Sequence, residues 1–260
     1  MEWYLISVLV AVVWIASLCK FLHATLYPYP SPILNIDDEY LPKRNVLLVI
    51  AHPDDESMFF SPTINQLTSR GHNVHILCMS TGNADGIGDV RKKELYRASA
   101  ILKVPNLQVT VLDHPEFQDG FGKVWSSSII SKIVEKKVLA HAIDTIITFD
   151  SYGVSGHCNH RDVHHGVQRY LLDTSSRDIE AWELVSTNLI RKFSGPIDIW
   201  LSLWSSGENT LPESKECFLN DHPRRSYAAM SEHRSQWVWF RKLFVIFSSY
   251  TYVNTLRKFN

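Results

Sequence analysis

His52-Pro53-Asp54-Asp55-Glu56 follows directly on the apolar run Val46-Leu47-Leu48-Val49-Ile50. A buried strand there delivers one histidine and three acids to a single point. Far downstream, His157-Cys158-Asn159-His160 follows a second apolar run, Ile143 to Phe149. Imidazole and carboxylate both bind Zn²⁺, and an open coordination position holds a water that can attack a carbonyl. The two sets together point to metal-dependent hydrolysis. A plain helix start would explain the acids of the first set, since proline and carboxylates suit a first turn. It explains neither His52 nor the matching second set.

Spacing leaves the division of labour open. In a turn, residues at i and i+3 share a side, so His52 and Asp55 can bind together while Asp54 points elsewhere as a base. If the strand continues through Pro53, His52 pairs with Asp54 instead. In the second set, His157 and His160 stand at i, i+3, and His160 and His164 at i, i+4, a zinc-type helical spacing. His164 and His165 read as surface histidines on a helix that Asp162 caps. Gly153 and Gly156 loosen the backbone ahead of His157. Thr81 to Gly88 lacks the lysine of a phosphate loop and reads as a site loop. Taken alone, Arg91 and Glu94 read as a surface ion pair and Asp119-Gly120 as a turn. No Gly-x-Ser-x-Gly elbow is present, which argues against a serine hydrolase.

The elements that must position these residues alternate. Strands are expected at Asn45–Ile50, Val74–Met79, Leu107–Leu112, Asp144–Phe149, Glu180–Ser186 and Asp198–Leu203. Helices are expected from Ser61 to near Gly71, and at Asp89–Leu102, Ser126–Leu139 and Arg161–Leu172. The pattern is that of an α/β, Rossmann-like, mostly parallel sheet with helices on both faces. In such sheets ligands sit beyond the carboxyl ends of the strands, where both motifs fall.

At 260 residues, one main domain is the natural size. A formal net charge of −1 offers no phosphate-binding surface for nucleic acid. Four cysteines without CxxC spacing exclude a zinc finger and make a disulfide framework unexpected. Trp3 to Cys19 carries no charge over 17 residues, the short end of a membrane span, and Lys20 can snorkel. There is no basic n-region and no clear cleavage site, so an uncleaved transmembrane helix is expected rather than a signal peptide. Lys20, Lys43 and Arg44 follow it, placing the larger part on the cytoplasmic side. The expected division is an anchor at 1–23, a proline- and tyrosine-rich linker at 24–43, and a catalytic domain at 44–260. Trp237 to Leu256 is aromatic and apolar around Arg241 and Lys242. It is expected to pack on the core or lie on a membrane surface.

The motifs Ala51-His52-Pro53-Asp54-Asp55-Glu56, Gly82-Asn83-Ala84-Asp85-Gly86-Ile87-Gly88-x-x-Arg91-x-x-Glu94 and Gly153-Val154-Ser155-Gly156-His157-Cys158-Asn159-His160 resemble those of the LmbE/PIG-L zinc de-N-acetylases. The likeness runs over roughly residues 45 to 250 and is specific because the motifs are paired. It implies that His52, Asp55 and His160 hold Zn²⁺, that Asp54 is the general base, and that protonated His157 meets the oxyanion. It also implies Arg91 and Asp119 near the sugar or phosphate. Fe²⁺, Co²⁺ and Mn²⁺ use the same ligand types. The anchor and the closing Ser235-Gln236-Trp237-Val238-Trp239-Phe240-Arg241 stretch resemble the family's eukaryotic branch. That likeness implies a lipid-linked N-acetylated sugar as substrate at the cytoplasmic face of the endoplasmic reticulum, with the bilayer as partner. Ser155 departs from the pattern, standing where some bacterial members carry a tyrosine. Two readings compete: a deacetylase of a soluble N-acetyl conjugate, which needs no anchor, and a non-catalytic membrane-anchored binding protein, which predicts a damaged site.

Overall fold

The computed structural model describes residues 2–26, 43–120, 122–174, 179–207 and 215–259. In chain order the helices are α1 (Glu2–Leu26), α2 (Asp55–Met58), α3 (Ser61–Ser69), α4 (Gly88–Ile101), α5 (Ser127–His141), α6 (Gly153–Gly156), α7 (Cys158–Asp173), α8 (Leu189–Lys192), α9 (Asp198–Gly207), α10 (Pro223–Glu232) and α11 (Trp239–Phe247). The strands are β1 (Asn45–Ile50), β2 (Asn73–Cys78), β3 (Val109–Val111), β4 (Thr145–Phe149), β5 (Glu180–Leu184), β6 (Lys215–Leu219) and β7 (Val253–Lys258).

They form one sheet in the order β3-β2-β1-β4-β5-β7-β6. The first five strands pair in parallel, while β7 runs antiparallel to both β5 and β6. The sheet is therefore mixed, with helices on both sides. β1 and β4 are apolar and buried almost throughout, as strands covered on both faces must be. Each large apolar side chain removed from water there contributes about 1.5–3 kcal/mol. The strand order reverses between β1 and β4, and a crevice opens where their following loops diverge.

Two parts of the expected pattern change. The expected strand at Asp198–Leu203 is the start of α9. Asp198 suits a first turn, where its carboxylate meets the helix dipole and accepts from the Ser202 hydroxyl at 3.2 Å, one turn on. β6 and β7 were not expected. They pair across 33 intervening residues or more, with Lys215 opposite Arg257, and local pattern carries no trace of such a partner.

α1 forms a helix that continues through the first residues of the expected linker, to Leu26; residues 27–42 of that linker lie outside the described residues. No helix among the described residues is long and apolar enough to cross a membrane. The charge-free run Trp3–Cys19 is 17 residues, against the about 20 that a span needs. The C-terminal half of α1 rests on the domain, where Trp200 Nε1 donates to Ser17 Oγ at 2.8 Å.

Candidate metal centre

β1 ends at Ile50 and the chain turns at once. Asp55 Oδ2 accepts the backbone N–H groups of Ala51 at 3.0 Å and His52 at 2.8 Å, closing the turn. That closure sets His52 and Asp55 on one side, with His52 Nδ1 3.9 Å from Asp55 Oδ2. Asp54 is turned the other way. Its backbone adopts φ +123°, a conformation that costs a non-glycine residue about 1–3 kcal/mol and clusters at functional sites. Its N–H donates to Glu56 Oε2 at 3.1 Å. Its carboxylate meets Arg91 Nη2 at 3.4 Å and, more closely, Arg241 of α11.

After β4, the chain passes Gly153 and enters α7 at His157. Gly153 holds φ +69°, and a Cβ there would lie 2.8 Å from His160 Cβ, so only glycine fits. The Gly153 carbonyl lies 3.1 Å from His160 Nδ1. A carbonyl only accepts, so Nδ1 carries the proton and Nε2 presents a lone pair. That lone pair is buried, 3.2 Å from Asp55 Oδ1, and has no hydrogen-bond partner. The ring stacks flat on Phe149 at 4.1 Å. His52 Nε2 lies 3.2 Å from both Asn159 Oδ1 and Asp119 Oδ1, two acceptors, so its proton sits there and Nδ1 faces Asp55.

A nitrogen lone pair and a carboxylate oxygen that face each other in a buried site call for a cation between them. His52 and His160 with Asp55 form such a donor set, and His52, His157 and His160 also present ring nitrogens within 4.8 Å of one another. The residues fit a Zn²⁺-type ion by the chemistry of their donors.

Electrostatics sort the same groups. Burial would raise the Asp55 carboxyl, but the facing rings of His160, then His52, hold it well below the usual carboxylate range. Burial opposes charge on His52, yet Asp119, Asp55 and Asp54 outweigh it and raise the ring above its ordinary value. Burial likewise opposes charge on Asp119, which the His52 bond and the Arg91 charge nonetheless keep low. His157 is different: burial, then repulsion from His160 and His52, push it down to about 4. At neutral pH its ring is therefore neutral rather than protonated, contrary to expectation. Its Nδ1 accepts the Asn159 N–H at 3.3 Å, so the proton sits on Nε2 and can still be donated.

Several expectations change here. Arg91 and Glu94 are not a surface pair, since both are buried. Arg91 donates to the Gly82 and Pro53 carbonyls, each at 2.8 Å, and Glu94 accepts from Ser235 Oγ at 2.6 Å. The Thr81–Gly88 loop is thus a wall of the site through Gly82. Asp119 is no bare turn residue, as it bridges His52 and Arg91. His164 is buried, with Nδ1 3.0 Å from the Phe149 carbonyl, while His165 is exposed as expected. Asp162 accepts from the Trp125 N–H at 2.9 Å, and the α7 cap is His157. Ser155 and Tyr152 are both exposed. Sequence reading missed Asn159 as a partner of His52 and Arg241 as a partner of Asp54. It also missed the fully buried Glu56–His233 pair, closed at 2.6 Å. A cation inside an apolar tail was the one available signal for Arg241. Nothing local marks His233.

A mixed α/β sheet with a histidine–carboxylate cluster at its strand-order switch has the donor set that metal-dependent hydrolysis requires. N,N'-diacetylchitobiose deacetylase from Pyrococcus horikoshii shares this fold at a TM-score of 0.56 and 17% identity, over 88% of this chain and 89% of that one. Residues 47–171 match the family model described as PIG-L, GlcNAc-PI de-N-acetylase. N-acetylglucosaminyl-phosphatidylinositol de-N-acetylase of Bos taurus is 35% identical over 81% of each chain. The Saccharomyces cerevisiae protein of the same name is 34% identical, over 80% of this chain and 79% of its own. This chain belongs to the PIG-L family.

Proposed function

We propose that this chain hydrolyses the acetamide of N-acetylglucosaminyl-phosphatidylinositol to acetate and glucosaminyl-phosphatidylinositol, the deacetylation step of glycosylphosphatidylinositol-anchor biosynthesis. The observation that carries this reading is the unpartnered His160 Nε2 facing Asp55 beside a strained Asp54, in a chain whose named relatives are de-N-acetylases. His52, Asp55 and His160 are assigned as the metal ligands. His157 is left out of that set because its Nδ1 is engaged by Asn159. A divalent ion held there supplies Lewis-acid polarisation of a carbonyl and lowers the pKa of water.

The chain's own residues do the rest. Asp54 takes a proton from the attacking water. His157 Nε2–H donates to the carbonyl oxygen as negative charge develops on it, and the neutral ring gains basicity as that charge grows. Asp54 returns that proton to the sugar nitrogen as the C–N bond breaks, and the free amine and acetic acid leave, the acid ionising to acetate in water. Arg91 and Asp119 are assigned to substrate contact, with Arg91 also orienting Asp54. α1 is assigned as an anchor to the endoplasmic reticulum membrane, with the domain at 44–260 in the cytoplasm. Its charge-free Trp3–Cys19 run and the basic residues that follow it support that placement.

The test is acetate release from N-acetylglucosaminyl-phosphatidylinositol by the full chain, beside Asp54→Asn, each before and after chelation and zinc return. Turnover that is lost on chelation and restored by zinc, with Asp54→Asn binding zinc but inactive, is expected. A folded, zinc-loaded wild type that releases no acetate from this lipid overturns the substrate assignment.

A further inference from the structure

α11 is strongly amphipathic, yet its apolar face is the open one. Arg241, Phe244 and Val245 point inward, one of them against Asp54 and another against Phe59 at 5.7 Å between ring centroids. Trp239, Phe240, Leu243, Ile246 and Phe247, spaced at i, i+1, i+4, i+7 and i+8, point outward. Trp239 remains 73% exposed. Ordinary amphipathic helices turn polar residues to water. Here the apolar residues face out and the arginine faces in.

The face does not stop at α11. Phe193 packs edge-on against Phe244 at 6.1 Å, which brings α8 alongside, with Leu189 at 72% and Ile190 at 85% exposure. On the other flank, Phe247 and the α1 residues Ile6, Val10, Trp14 and Ile15 line one open apolar groove of about 660 Å³. Cations rim the patch. Lys192 Nζ sits 5.7 Å over the Phe244 ring, and Lys242 Nζ 5.8 Å over Trp237. Aromatic rings, aliphatic side chains and snorkelling lysines around one open apolar face are the make-up of a surface that beds into a lipid interface.

We infer that the outer faces of α8 and α11 seat on an anionic lipid bilayer beside the active site, as a membrane contact separate from α1. Continuity with α1 and the lysine rim select lipid over a protein partner. The choice of lipid also rests on the lipid-linked substrate proposed above. Because the same helix sends Arg241 to Asp54, seating α11 sets the mouth of the site at headgroup level, where a membrane-borne sugar is found.

The test uses the full chain in phosphatidylcholine/phosphatidylinositol vesicles that carry a phosphatidylcholine with a diazirine on a shallow acyl carbon. Interfacial helices bury about 5–10 Å deep, which sets that choice of carbon. Photolabelled peptides are mapped by mass spectrometry. Adducts within 239–247 and 189–193, as well as in α1, are expected. In a Trp239→Asp, Phe240→Asp variant the α11 adducts vanish while those in α1 stay. Its kcat/KM falls at least tenfold on bilayer substrate and holds on a short-chain substrate below its micellar limit. Adducts confined to α1 overturn the inference, as does an equal loss on both substrates. Labelling requires no turnover, so adducts at α8 and α11 in a chain that releases no acetate would uphold the seat and overturn the reaction.

Discussion

The strand ends of β1 and β4 and the outer rim of α8 and α11 lie close together and are built on opposite terms. At the strand ends nearly every group is buried, ionisable and tied to two or three others, and the backbone at Asp54 and Gly153 takes up conformations that must be held in place. On the rim the side chains are large and apolar, and Leu189, Ile190, Trp239 and Phe240 are more than half exposed. A residue at the strand ends answers to both folding and chemistry. A residue on the rim answers to neither, so its apolarity needs a cause outside the fold. The comparison separates what each substitution should disturb.

The largest effect is expected where the strain is. Asp54→Asn removes the proton acceptor while keeping its shape, and should lower kcat by about 10²–10⁴-fold with the melting temperature nearly unchanged. An active Asp54→Asn would break the assignment of this end as the chemical one. Next comes the support beneath it. His233→Ala leaves the Glu56 carboxylate buried without its cationic partner, at a cost of about 3–5 kcal/mol in denaturant unfolding. A loss under 1 kcal/mol would mean that the pair is not what holds the turn.

Gly153→Ala tests the other strand end. The added Cβ meets His160 at a positive φ, so about 1–3 kcal/mol of stability and part of the zinc affinity should go together. Unchanged zinc affinity by calorimetry would uncouple that loop from the metal. The pH response is smaller. Burial opposes charge on His233, but the Glu56 charge and hydrogen bond outweigh it and lift the ring above its usual 6.5. The folded ring thus binds its proton more tightly than the unfolded one. The stability it contributes is full below about 6.5 and fades as pH rises through the raised value. The melting temperature should fall more steeply with rising pH in wild type than in His233→Gln, and equal slopes would contradict the pairing. The smallest effect belongs to the rim. Trp239→Ser with Phe240→Ser should change unfolding free energy by no more than about 0.5 kcal/mol in detergent. A loss above 2 kcal/mol would show that those rings serve the fold.

Much of the chemistry was legible because ligand types are rare in such company. His52, Asp54, Asp55, His157 and His160 stand after two apolar runs, and each run proved to be a neighbouring strand of one sheet. The family likeness of the motifs matched the relatives that the whole chain resembles. Arg91 and Asp119 were legible only through that likeness, because ion pairs and turns at the same spacing are common. Arg241, Asn159 and His233 were not legible as partners, since contacts across 187, 107 and 177 residues leave no periodic trace. The missed β6 and β7 share that cause.

By itself the sequence determined which residue types could bind a metal, that they would arrive at strand ends, and that one stretch near the start is free of charge. Those properties are local: apolar runs, turns and spacings depend on near neighbours alone. Only the tertiary structure decided that Asp55 faces His160 while Asp54 faces Arg91 and Arg241, that His157 is neutral, and that α11 turns its arginine in and its aromatic rings out. Each of these depends on burial and on charges brought together from distant parts of the chain, and neither exists until the sheet has formed.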